Sequence, residues 1–313
     1  MTEEPRLRAM ERADWAEVAD LIYVSTNYWY RASGKPAIFA GGPSATELFC
    51  KVYEDLDPGY CVVAESPRTR RLMGSCFFHP RETHVSLGIM NVHPNYFGAG
   101  VARRLLRHVT DYADAQGKPV RLVSSAMNLD SFSLYTRAGF VPRQAYQDVM
   151  LAVPTGGLAA DGLDASLASR VRPARAEDVE AIADLELDVS GISRRKDYRY
   201  FIQNDDAIWH VSVLEGEHRR LDGFLASVNH PGSNMVGPGV ARTPEGAAAL
   251  LRAELDQHRG RSPVFLVPVD SPDLVQQVYA WGGRNVELHF AQVRGQAQPF
   301  RGISLPTFMP ETG

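Results

Sequence analysis

Gly98 and Gly100 stand one residue apart in the segment Asn95-Tyr96-Phe97-Gly98-Ala99-Gly100, and Arg103 and Arg104 follow within one helical turn. Glycine backbone approaches a phosphate closely because no Cβ shields its amide. A helix N-terminus adds unpaired N–H groups and partial positive charge. The chemistry this spacing suggests is phosphate binding. Two familiar forms of it fail. A nucleotide P-loop continues with Gly-Lys-Ser/Thr, but Val101-Ala102 follow Gly100. A dinucleotide fingerprint needs a third glycine three residues later and an acid about twenty residues on. Arg103 takes the glycine's place, and the acid is missing.

A second motif lies downstream, Asn128-Leu-Asp-Ser131-Phe-Ser-Leu134-Tyr135-Thr-Arg-Ala-Gly139-Phe140. Asn128, Ser131 and Tyr135 are one helical turn apart in succession, so they share a helix face.

Together the two segments resemble the GNAT N-acyltransferase superfamily. Its phosphate loop reads Gln/Arg-x-x-Gly-x-Gly/Ala, and its later segment reads Asn-x-x-Ala-x-x-Leu-Tyr-x-x-x-Gly-Phe. Val92-His93-Pro94 also matches the family's strand exit. Asn95 departs from the pattern, since a short neutral amide replaces Gln or Arg. The resemblance covers most of residues 5–150. It implies an α/β (α+β) fold with a mixed, mostly antiparallel sheet flanked by helices and splayed after its fourth strand. It implies acetyl-CoA as cosubstrate. The pyrophosphate would lie on Asn95, Phe97, Gly98, Ala99, Gly100, Val101, Ala102 and Arg103. The pantetheine arm would add like a strand beside Met90, Asn91 and Val92. Asn128 and Ser131 would contact CoA. Arg103 and Arg104 have a plainer reading as a solvated face.

The resemblance also implies direct acyl transfer to a primary amine. Tyr135 is the candidate acid for the leaving thiolate. A phenol titrates near ~10 and a thiol near ~8.5, so the hydroxyl is protonated at neutral pH and can donate. The plainer reading is a core tyrosine. Backbone N–H groups of the splayed strand would hold the oxyanion. No base is assigned: His79, Glu82 and His84 lie nearby but read as strand-end surface residues. For the acceptor, Tyr28, Trp29 and Tyr30 fall in Thr26–Phe39, read as lying between the first two helices. They could wall a cationic amine or form an aromatic core edge or domain interface.

These residues need strands and helices to position them. CVVAES, RLMGSCFFHP, THVSLGIMNV, PVRLVSSAM and QAYQDVMLAV read as β. Ala99–Gln116 reads as a helix, with Val101, Leu105, Val109 and Tyr112 on one face. Arg6–Leu21 and Arg170–Leu185 then align without gaps, Arg8 on Arg172 and Asp14 on Asp178. An internal duplication explains this. The chain of 313 residues therefore divides into a catalytic domain over 1–152, a linker over 153–167, a second domain over 168–295 and an extended tail over 296–313.

The second copy keeps Val278-Tyr279-Ala-Trp-Gly-Gly283 but loses the phosphate loop. Thr243-Pro244-Glu245 starts its helix, Gly237 and Gly239 stand too far ahead, and Pro272 falls where Asn128 would be. It reads as a degenerate copy without CoA, covering sheet edges or walling the acceptor pocket. Asp188–Phe201, rich in charge and tyrosine, could read an acceptor or form a solvated helix face, and the solvated face is the favoured reading.

Net charge is −4 with 22% charged residues, which argues against a nucleic-acid partner. Three cysteines without CxxC spacing read as reduced thiols, not a metal site. With no apolar run of about 20 residues, the expectation is a soluble cytoplasmic protein without membrane or metal. Oligomeric state is not readable. The alternatives to a small-molecule N-acetyltransferase are a non-catalytic acyl-CoA sensor or scaffold and a protein lysine or N-terminal acetyltransferase.

Overall fold

The structure is a computed structural model that describes residues 4–159 and 164–309. The described chain forms two compact units. One takes residues 4–80, 84–120 and 308–309, the other 81–83, 121–159 and 164–307.

In the first unit, β1 (Arg6–Ala9) leads into α1 (Trp15–Ala32) and α2 (Glu47–Leu56). β2 (Cys61–Glu65), β3 (Leu72–Pro80) and β4 (Val85–Val92) follow as an antiparallel run in the order β1-β2-β3-β4, then α3 (Val101–Ala115). The periodicity of α3 is realised: Val101, Leu105 and Val109 are buried, while Arg103 is exposed. Ile22, Phe49, Val52, Phe77 and Leu105 are buried in this unit's core.

In the second unit come all but the first residue of β5 (Val120–Ser125), then α4 (Leu129–Arg137), β6 (Val141–Met150), the short α5 (Ala165–Ala168), β7 (Val171–Pro173), α6 (Val179–Ser190) and α7 (Arg195–Gln203). The meander β8 (Trp209–Glu215), β9 (Leu221–His230) and β10 (Ser233–Ala241) precedes α8 (Pro244–Asp256), β11 (Val264–Pro268), α9 (Pro272–Ala280), β12 (Arg284–Arg294) and β13 (Ile303–Leu305). Strand order is β5-β12-β6-β11-β10-β9-β8-β7, with β13 on β10.

The copies exchange their last strands. β6 pairs antiparallel with β11, Val264 opposite Met150, and with β12, Tyr146 opposite His289. Two strands of the second copy thus bracket the last strand of the first.

The duplication is visible in matching bonds. Arg8 grips Asp14 at 2.6 and 2.8 Å, and Arg172 grips Asp178 at 2.7 and 2.9 Å. Each carboxylate also accepts a backbone N–H at 2.7 Å, from Glu11 and Arg175 respectively. The forked guanidinium suits such a bidentate pair.

Three expectations change. Within 153–167, residues 160–163 lie outside the described residues, but Val153 is buried and Leu158 packs on the second unit's core, with Leu167 close behind. The segment is therefore not wholly a spacer. Thr26–Ala32 are the last turns of α1, not a connection. In Asp188–Phe201, Arg194, Asp197 and Tyr198 are buried, against the solvated-face reading. Arg194 pairs with Glu186 at 2.5 Å and Asp197 with Arg81 at 2.8 Å, and both pairs are buried. Arg195 and Arg199 do face outward, toward Glu180.

Candidate active site

Gly98 and Gly100 both have φ of +77°, the left-handed region that an L side chain adopts at a cost. An added Cβ at Gly98 would meet nothing within 4 Å, and one at Gly100 would meet only Arg103 Nη2, at 3.6 Å. Backbone conformation, not crowding, therefore calls for glycine here, and the space beyond is open. Gly100 is the N-cap of α3 and offers no side-chain cap. The opening amides of α3, from Val101 to Arg103, have no intrahelical acceptor. Such a terminus binds anions.

α8, the counterpart in the second copy, is closed. Thr243 Oγ1 accepts from Gly246 N–H at 3.1 Å, and Pro244 at N1 has no N–H to give.

Around the loop, the Asn95 N–H donates to His93 Nδ1 at 3.2 Å. Asn95 also lines a small cavity of about 170 Å³ with Glu17, Asp20 and Arg71, where Arg71 pairs with Glu17 at 2.7 Å. The ring of Phe97 is 52% exposed and packs edge to face on Tyr28, itself 49% exposed, at 5.8 Å. Trp29 and Tyr30 pack edge to face at 5.0 Å, and Lys35 Nζ stands 5.8 Å from the Tyr30 ring. Asn27 pins the following segment to α1, accepting from the N–H of Ile38 and Phe39 at 3.1 and 3.0 Å.

β4 is buried over Val85–Gly88 and half-buried over Ile89–Val92. The change brackets a register shift against β3, between Cys76 and Phe78. Met90, Asn91 and Val92 thus lie on the more open half, and Asn91 Oδ1 accepts from Thr26 Oγ1 at 3.5 Å.

Asn128 is the N-cap of α4, its Oδ1 accepting from Ser131 N–H at 3.1 Å. Its amide NH₂ is not used in that bond. Tyr135 is 7% exposed and packs against Phe140 at 5.8 Å.

His79 and His84 are 1% and 2% exposed, so neither is a surface residue. His79 Nδ1 is 2.8 Å from Asp57 Oδ2, and His84 Nε2 is 3.0 Å from Ser86 Oγ. Glu82 takes the backbone N–H of Arg195 at 3.2 Å.

One buried cluster was not foreseen. Asp148, Glu287 and His289 bring their polar atoms within 4.8 Å of one another. They converge only because the strand exchange sets β6 beside β12. No local sequence signal marks that pairing.

The Acetyltransferase (GNAT) family matches residues 23–140, and an Acetyltransferase (GNAT) domain matches residues 182–299. The chain belongs to the GNAT family. It is a tandem GNAT protein, as the duplication implied. The fold is similar to that of a Pyrococcus horikoshii protein described as an acetyltransferase, with TM-score 0.74, 13% identity, and coverage of 99% of this chain and 97% of that one. A GCN5-related N-acetyltransferase from Sphaerobacter thermophilus gives 0.64 at 16% identity, covering 95% and 97%. A tandem GNAT protein from the clavulanic acid biosynthesis pathway gives 0.59 at 13% identity, covering 94% and 100%. Among curated proteins, no sequence match is found. GNAT membership supports an acyltransferase and implies acetyl-CoA or CoA as the bound cosubstrate. No described helix is long and apolar enough to cross a membrane.

Proposed function

We propose that this tandem GNAT protein is an N-acetyltransferase that moves an acetyl group from acetyl-CoA to the primary amine of a small molecule. The observation that carries this reading is the uncapped α3 terminus behind two left-handed glycines, set against the capped α8 of the second copy. One copy keeps an anion site at that helix and the other has closed it. The first copy, residues 1–152, takes the catalytic role and residues 168–295 do without CoA.

Acetyl-CoA supplies the acetyl group as a thioester. The amides of Gly98 and of Gly100 to Arg103 hold the pyrophosphate, with the Arg103 guanidinium adding charge, while the Ala99 N–H closes the loop onto the Tyr96 carbonyl at 3.2 Å. Asn95 shapes the loop through its backbone bond to His93. Met90 to Val92 present strand backbone to the pantetheine arm and to the developing oxyanion. Asn128 offers its amide NH₂, and Ser131 flanks it. The neutral amine attacks the thioester carbonyl, the C–N bond forms and the C–S bond breaks. Tyr135 donates its hydroxyl proton to the departing sulfur. The proton lost by the amine leaves to solvent, and the Tyr135 phenolate regains its own from there. Of the three aromatics on the last turns of α1, Tyr28, which meets Phe97 of the glycine loop, walls the site that receives the amine.

A panel of small amines, incubated with acetyl-CoA and followed by thiol release, tests the reading. Amine-dependent release above the no-amine rate is expected with at least one class of amine. Tight acetyl-CoA binding with no release across the panel would favour the non-catalytic sensor instead.

A further inference from the structure

β10 runs parallel to β11 only at Met235 and Val236. Its register against β9 then shifts, and from Gly239 onward it pairs with β13 of the chain's own tail, Gly239 opposite Leu305 and Ala241 opposite Ile303. Gly302 permits that approach, since an added Cβ there would lie 2.5 Å from the Ala241 carbonyl oxygen. The strand edge that an extended ligand would use is already filled. What remains beside the tail is a cavity of about 560 Å³, and every residue lining it belongs to one compact unit.

Its lining has two characters. Arg121, Arg143 and Arg242 bring guanidiniums, and Ala291, Val293 and Phe300 bring apolar surface. Asp270 and Asp273 are the carboxylates among the lining residues. Asp270 is engaged by the Gln144 amide at 2.5 Å, and Asp273 lies in the first turn of α9, where the helix dipole favours it. Arg242 pairs with Asp188, outside the lining, at 2.6 Å. Arg121 is 4% exposed and donates to the Ser190 carbonyl at 3.3 Å. Burial pulls its pKa below the ordinary value, against the opposing pull of the Glu186 carboxylate. The volume suits a metabolite-sized ligand.

We propose that this cavity binds a small amphipathic monocarboxylate, its carboxylate on the Arg121 and Arg143 guanidiniums and its body against Phe300 and the tail. A planar guanidinium matches a carboxylate bidentately, and the apolar side formed by Ala291, Val293 and Phe300 suits a hydrocarbon body that phosphate lacks.

The test is calorimetric titration of the full chain, saturated with CoA, using benzoate and hexanoate as probes and inorganic phosphate as the control. At least one carboxylate is expected to bind at one site per chain. Arg143→Gln, at an exposed position, and Phe300→Ala, at a half-buried one, should each weaken it about tenfold while thermal melting stays near wild type. Arg121→Gln should abolish binding; if it does not fold, the other two variants decide. The proposal is overturned by any of three results: no heat with either carboxylate, undiminished affinity in both variants, or displacement of the probe by phosphate or by added CoA.

Discussion

Tyr28 and Phe97 meet edge to face with centroids 5.8 Å apart, joining the last turns of α1 to the glycine loop. Such a contact contributes about 0.5–1.5 kcal/mol beyond area burial. On the proposed reading it links the amine wall to the phosphate loop. Phe97→Ala should therefore raise KM for acetyl-CoA and for the amine together, each by roughly 2- to 12-fold. Steady-state kinetics with each substrate varied in turn checks this. A rise confined to acetyl-CoA would sever the link.

Gly98→Ala isolates backbone conformation from crowding, because nothing stands within 4 Å of the new methyl. A left-handed alanine costs roughly 1–2 kcal/mol, so the loop should relax away from the φ that aims its amides. Acetyl-CoA affinity should fall about tenfold, with a thermal midpoint within a few degrees of wild type. Unchanged affinity by calorimetry would show that Gly98 does not shape the phosphate site.

The glycine loop, α3 and the repeat of Arg8 and Asp14 at Arg172 and Asp178 were legible because each is written in residues close together, although the bond within each repeat was not read. Arg8 and Asp14 are six apart, as are Arg172 and Asp178. The strand exchange was hidden, because β6 and β12 carry alternation that says strand but not which partner. Arg194 and Asp197 read as solvent-facing because their partners Glu186 and Arg81 pair with them only through the fold. The pairing of β13 with β10 left no local signal either, since a three-residue strand has no periodicity to read. The capped start of α8 was legible in Thr243-Pro244-Glu245.

His258 is buried, and its Nδ1 lies 2.8 Å from Asn234 Oδ1. Burial pulls its pKa from 6.5 down to about 4. The unfolded chain takes a proton near pH 6.5 while the folded chain does not. The stability contributed by neutral His258 is thus complete above about pH 6.5 and is lost as pH falls toward 4, on the order of 3 kcal/mol in all. His210 acts oppositely. Its bond to Glu254 at 2.9 Å raises its pKa, so its contribution is present at low pH and fades as pH rises through that raised value. Urea midpoints between pH 7.5 and 4.5 should fall more steeply for wild type than for His258→Gln. Equal slopes would remove His258 from the acid sensitivity.

The central claim is acetyl transfer assisted by the Tyr135 hydroxyl. It is tested most directly by thiol release from acetyl-CoA with an accepted amine, comparing wild type with Tyr135→Phe. The phenyl ring keeps the packing on Phe140 and loses only the proton donor. The account predicts a fall in kcat of about 10²-fold or more, with KM for acetyl-CoA within a factor of about 2 if substrate binding is unaffected. An unchanged kcat on that amine would contradict it.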